Sequence, residues 1–291
     1  MSYPFVRARG FTPASRGKDD IDVIVLHTAE IPETPDAAER IARYFQTTSR
    51  EVSAHYCVDN NSIVQCVKEK DVAWTAPGNN WNGIQIEQSG FARQTKADWN
   101  DAHSKALLER TARLIAEISK RYAIPIVPLD AADLRADRRG VTTHVAVSRA
   151  WRRSNHWDPG PNFPLGKVLA RAKELRGSGP PRPKPRPKPR PTLREGNRGF
   201  QVKRAQRLLN EKPGIQIAVD GIFGPETKAA VVKFQRRRKI RANGVIGPKT
   251  WAALLKRPRA TGSAGRGGGS PGLFELGEAL PAAGSKRDHD A

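Results

Sequence analysis

Residues 177–191 read GSGPPRPKPRPKPRP, and no other tract limits the fold of this chain as strongly. Proline at nearly every second position removes backbone donors and fixes φ, so neither helix nor sheet can run through it; an extended polyproline II rod remains. One continuous core cannot cross such a segment. The chain therefore divides into folded units at residues 1–176 and 193–256, a stiff linker at 177–192 and a flexible tail at 257–291. The tail carries TGSAGRGGGSPG and has too little apolar surface to order itself. At about 3.1 Å per residue, the proline part of the linker can hold the two units roughly 35–40 Å apart.

Charge follows the same division. The formal net charge is +22, from 51 basic and 29 acidic side chains. The first unit is close to balance, whereas residues 193–255 carry fourteen basic against four acidic groups. Such a field attracts polyanions, whether nucleic acid, anionic membrane or an acidic wall polymer. Tracts such as Arg236-Arg237-Arg238-Lys239 suit phosphate contact, but no base-reading or stacking pattern accompanies them, so no specific nucleic acid is expected. The apolar run Val23–Leu26 is far short of the roughly 20 residues a membrane span needs, and MSYPFVRARG lacks an export-signal core. A soluble chain without a signal peptide is expected. Two cysteines, Cys57 and Cys66, exclude a disulfide framework or a thiolate cluster and are expected to be reduced and buried.

The first unit alternates strand and helix signals, which predicts an α/β domain. IDVIVLH predicts a buried strand ending at His27, and Asp36 a cap for a helix through about Thr47. VSAHYCV and SIVQCV flank Asp59-Asn60-Asn61 as a hairpin, and GIQIEQ is a further strand. A long helix is expected from about Asp98 to Tyr122, a strand in VTTHVA ending near His144, and a closing helix from Leu165 to Leu175. The second unit contains a repeat: DGIFGPET at Asp220–Thr227 matches NGVIGPKT at Asn243–Thr250. Each copy is a glycine turn followed by proline in a helix's first turn, and with a preceding helix at Val202–Asn210 they predict a three-helix bundle.

Of six histidines, His27, His55, His103, His144, His156 and His289, position favours two. His27 and His144 fall at predicted strand ends, where side chains of neighbouring strands converge, and Asp158 follows in the loop HWDPGPNF. Two imidazoles and a carboxylate, with a fourth position for water, form a set that suits catalytic zinc. No HExxH-type spacing adds to it.

LHTAE around His27, VSAHYCVD at Val52–Asp59, the Asn82-to-Glu87 pattern N-x-x-x-I-E, TTH at Thr142–His144 and DPGPNF from Asp158 together resemble the zinc-dependent N-acetylmuramoyl-L-alanine amidases. That family shares its fold with phage lysozyme-type amidases and peptidoglycan recognition proteins. The resemblance spans roughly residues 20–170 and implies a mixed central β-sheet flanked by helices. It implies one zinc ion per chain held by His27, His144 and Asp158, the last standing where some relatives use cysteine. It implies catalytic roles for Glu87 and His156, and substrate contacts for Trp74, Asn82 and His55, the last alternatively a support behind the ligands. Bound zinc would lower the pKa of a water and polarise the amide carbonyl, while Glu87 takes the water's proton and a charged His156 stabilises the oxyanion. Two departures stand out: His156 replaces a lysine of many relatives, and Thr75 a histidine.

The second unit resembles three-helix peptidoglycan-binding domains through Gly196, Gly199, Gln206, Asp220-Gly221, Phe223-Gly224, Thr227, Phe234-Gln235, Gly244, Gly247 and Thr250-Trp251. The combination implies a monomeric phage endolysin that cuts the bond between N-acetylmuramic acid and L-alanine, with peptidoglycan and anionic wall polymers as partners. Held in the host cytoplasm, it would reach the wall once the membrane is breached. A bacterial autolysin of the same chemistry and a non-catalytic peptidoglycan-recognition protein are the alternatives.

Overall fold

The computed structural model describes residues 3–177 and 190–255. Most of the predicted linker, the predicted tail and His289 lie outside the described residues. Five strands form one sheet: β1 (Val23–Thr28), β2 (Tyr56–Val58), β3 (Ile63–Gln65), β4 (Gly83–Gln88) and β5 (Gly140–Thr143). Their order is β3-β2-β4-β1-β5; only β2 and β3, the predicted hairpin, run antiparallel. The sheet is therefore mixed, as the sequence implies. Central β1 is buried at every position because helices cover both faces, which is why it reads as an unbroken apolar run.

Helix α1 (Ala37–Thr47) covers one face, packing Ile41 and Phe45 against Cys57 and Val64. On the other, α2 (Ala102–Tyr122) and α5 (Leu165–Arg176) bring Leu107, Leu114, Ile118, Val168 and Leu169 against Ile24, Leu26 and Ile86. Cys57 and Cys66 are free and buried, their sulfurs 3.5 Å apart. Short α3 (Ala131–Arg135) precedes β5.

Three local expectations change. The predicted helix from Asp98 divides into a 3-10 turn, Asp98–Asn100, and α2, because the Asp101 carboxylate caps α2 by accepting from Ser104 N at 2.7 Å. Asp36 sits at the cap position of α1, but its side chain accepts from Thr34 Oγ1; the Asp59 carboxylate takes Ala38 N at 3.0 Å instead. The strand through VTTHVA stops at Thr143, and His144 opens helix α4 (His144–Trp151), which the β-branched residues before it conceal.

Residues 190–255 form the three-helix unit: α6 (Phe200–Asn210), α7 (Pro225–Arg237) and α8 (Pro248–Leu255) around Phe223, Phe234 and Trp251. The repeat has a physical basis. Gln206 donates to Asp220 Oδ1, Ile222 O and Thr227 Oγ1 and accepts from Gly221 N. Gln235 makes the same four bonds one repeat later, to Asn243, Val245, Thr250 and Gly244. Each buried amide thus satisfies one turn, and positive φ at Gly221 (82°) and Gly244 (70°) explains the glycine in both.

The two units meet rather than standing apart as the linker length allows. Arg204 on α6 pairs with Asp137 at 3.0 Å, Arg190 pairs with the same carboxylate, and Glu211 pairs with Arg153. Arg207 lies over the Trp81 ring, 3.3 Å from its centroid. Among the described residues, no helix is long and apolar enough to cross a membrane.

Candidate active site

Strands β4, β1 and β5 run parallel, so their C-terminal ends open on one edge, the usual place for ligands in such sheets. His27 lies at that end of β1 with Glu87 as its register partner on β4, and His144 follows β5 directly. Asp158 reaches them from the loop after α4, which is tied back by Val145 N donating to Asp158 O at 3.0 Å. The Asp158–Pro159 peptide is cis.

These residues converge closely. His27 Nδ1 is 3.1 Å from His144 Nδ1 and 3.3 Å from Asp158 Oδ2, and His144 Nδ1 is 3.1 Å from Asp158 Oδ1. All three side chains are buried, with ligand atoms within 4.8 Å of one another. Asp158 Oδ2 accepts no hydrogen bond despite its burial. Two imidazole nitrogens turned toward each other beside an orphaned carboxylate oxygen fit a cation better than they fit one another. The group can hold a metal ion.

Electrostatics agree with the geometry. Burial would raise the Asp158 carboxyl, but His144 and His27 outweigh it and hold Asp158 well below the usual carboxylate range. Burial lowers His144 to about 4 against the opposing pull of Asp158. In His27 burial also works against the charged form, but Asp158 and Glu87 prevail and raise its pKa. Glu87 is pushed up to about 7 by burial, with Asp158 and Glu30 adding and His27 opposing; its Oε2 has no hydrogen-bond partner. His156 stacks on His144 with centroids 4.4 Å apart, and its Nδ1 is 3.6 Å from Asp158 Oδ1. Burial lowers its pKa although Asp158 opposes, so the charged form expected from the family's lysine is not favoured here.

A cavity of about 1030 Å³ opens over the group, walled by Glu30, Trp74, Glu87, Arg153, His156 and Trp157 among others. Trp74 lines this cavity, whereas His55 and Asn82 are buried in the framework and do not line it. His55 Nδ1 accepts from Gln85 N and its Nε2 lies 3.1 Å from Asp71 O, while burial and Arg16 hold its pKa well down. Asn82 accepts from Asn79 and its carbonyl takes Asp22 N and Val23 N. Thr75 hydrogen-bonds Ser53 O at the cavity wall, and His103 lies 3.3 Å from Ser89 Oγ. The sequence alone does not single out Gln85, against His27; Glu30, which accepts from Thr28 and Ala92; or Arg16, buried among the carbonyls of residues 69–83. Alternation in GIQIEQ, which puts Gln85 on the face of Glu87, is the signal that could find the first of them.

Gly160 fixes the Asp158 loop. Its φ is +87°, and an added Cβ would lie 1.8 Å from Ala92 O. Gly160→Ala is expected to destabilise the protein by more than the ~1–3 kcal/mol of backbone strain alone, read as a lowered Tm.

A parallel sheet edge carrying a buried His-His-Asp group beside an acid, under a cavity, defines an α/β domain with a metal-capable site. Residues 17–161 match the N-acetylmuramoyl-L-alanine amidase family and residues 198–254 the putative peptidoglycan binding domain family. The protein is thus an N-acetylmuramoyl-L-alanine amidase joined to a peptidoglycan-binding domain. Among solved structures, a mutant of PlyL is 16% identical, covering 61% of this chain and 100% of that one, with a TM-score of 0.42. Staphylococcus aureus hydrolase AmiA in complex with its ligand is 17% identical over 60% of this chain and 85% of that one, TM-score 0.47. A peptidoglycan-binding protein from Clostridioides difficile is 42% identical over 22% of this chain and 40% of that one, TM-score 0.21. The comparison with curated proteins returns no match.

Proposed function

We propose that the enzyme is a zinc-dependent endolysin, with one zinc ion per chain held by His27, His144 and Asp158. The observation that carries the metal reading is the buried convergence of two Nδ1 atoms on the Asp158 carboxylate, whose Oδ2 accepts no hydrogen bond. When bound, zinc supplies an activated water near neutral pH and Lewis-acid polarisation of the scissile carbonyl. Glu87, unpaired beside the group, accepts the water's proton and returns it to the leaving amine; a pKa near neutrality suits both directions. His156 lines the cavity where a ring N–H can meet the developing oxyanion. Trp74 forms the substrate wall, and His55 and Asn82 support the strands behind it.

The domain reading follows: 1–176 cuts, 193–256 binds wall, and 177–192 joins them ahead of the tail 257–291. Basic charge concentrated in the binding unit favours retention on anionic wall polymers as well as peptidoglycan. The protein acts as a monomer, held in the host cytoplasm until the membrane is breached. A wall-binding unit attached to a wall-cutting one supports this lytic role.

Mass spectrometry of digested peptidoglycan, with and without a zinc chelator, tests the reading. Chelator-sensitive release of peptides beginning at L-alanine, with glycan strands intact, is the expected result. Binding without products would favour a recognition protein, and cuts within the glycan would overturn the assignment.

A further inference from the structure

We infer that Gln85 is a positioning residue: its side-chain amide fixes the tautomer of His27, so that the Nδ1 lone pair faces the metal group. The inference rests on the proposed metal reading. Gln85 is fully buried on β4, and both ends of its amide are engaged. The NH2 end donates to Asn79 O at 3.2 Å, so the oxygen is the end left to face His27, 2.9 Å from its Nε2. An amide oxygen only accepts, and a neutral imidazole has a single N–H; that proton therefore sits on Nε2. Nδ1 is left with its lone pair, and it points at His144 Nδ1 and Asp158 Oδ2.

The surroundings hold this arrangement in place. Gln85 N donates to His55 Nδ1 at 3.0 Å, anchoring the strand from which the amide extends. Gly83 leaves it room, since a Cβ there would lie 2.7 Å from Gln85 Nε2. On the opposite side Gln88 Nε2 donates to His27 O at 3.0 Å and is itself held by Thr111. His27 is thus fixed at both its backbone and its outer nitrogen. A ligating histidine whose other nitrogen loses its partner typically costs 10–100-fold in metal affinity.

The test uses the full chain with zinc alone as probe. Nitrogen-15 shifts of His27 in the metal-free protein, recorded at a pH high enough to keep the ring neutral, are expected to show the Nε2–H form. Gln85→Met, which fills the space without an acceptor, should populate both tautomers and weaken zinc binding about 10–100-fold in chelator competition. Gln85→Glu, ionised or protonated, still turns an oxygen to Nε2 and should recover both readouts. A neutral His27 ring with its proton on Nδ1 in the unmodified protein overturns the inference without any variant having to fold. So does a folded Gln85→Met protein with undiminished zinc affinity. Failure of the unmodified protein to bind zinc would defeat the metal reading, while the tautomer would still decide the role of Gln85.

Discussion

Asp158→Ala is expected to leave a folded protein that retains no stoichiometric zinc and has no amidase activity above background. Asp158 supplies the only negative charge among the three ligands and is ionised at any working pH, because His144 and His27 outweigh the effect of its burial. Its removal leaves two imidazole nitrogens 3.1 Å apart with nothing anionic between them and a cation. The loss should exceed the ~10–100-fold that removal of an outer partner costs, since a donor and a charge go together. Metal content after dialysis and release of peptides from purified wall are the two readouts, with circular dichroism to confirm folding. Asp158→Asn keeps the shape and removes the charge, so it should fall between the two. A folded Asp158→Ala protein with one zinc ion and full turnover would remove Asp158 from the ligand set.

How much of this is legible in the sequence depends on the range of the interaction. His27 is readable because an apolar run buried on both faces must end somewhere, and the polar residue at that end is the one that meets the sheet's edge. The repeat is readable because each turn is local, whereas the glutamines that hold the turns lie outside the repeated pattern, Gln206 14 residues before Asp220 and Gln235 8 residues before Asn243. Helix α4 is hidden because Val141, Thr142 and Thr143 extend a strand pattern up to His144, and the buried histidine that starts the helix carries no capping signal. The burial of His55 and Asn82 is hidden for a related reason: a motif position gives proximity, while the direction of a side chain depends on the backbone that carries it. The seat for α6 has no local signature at all, since Asp137, Trp81 and Arg153 are far apart in sequence and meet only once the first unit is folded.

Glu87→Gln separates chemistry from metal retention, and for that reason it is the more discriminating experiment. The substitution preserves volume and leaves His27, His144 and Asp158 in place, so zinc content should stay near one per chain. What it removes is a carboxylate with a free oxygen beside the metal group, placed by the register of β4 against β1 so that it adjoins His27. A glutamine amide cannot accept and return a proton at that point. Loss of general acid–base assistance costs about 10²–10⁴-fold, and the deficit should appear in kcat with wall affinity unchanged, because on the proposed reading the second unit carries wall binding. Affinity for insoluble wall and turnover on soluble fragments measure the two halves independently. If Glu87 instead serves the fold as a buried strand-end carboxylate, Glu87→Gln will raise or lower Tm and leave kcat within a few-fold of the parent. The proton must then be carried by another group at the cavity, with Glu30, whose charge already acts on Glu87 from the same wall, the first acid to substitute.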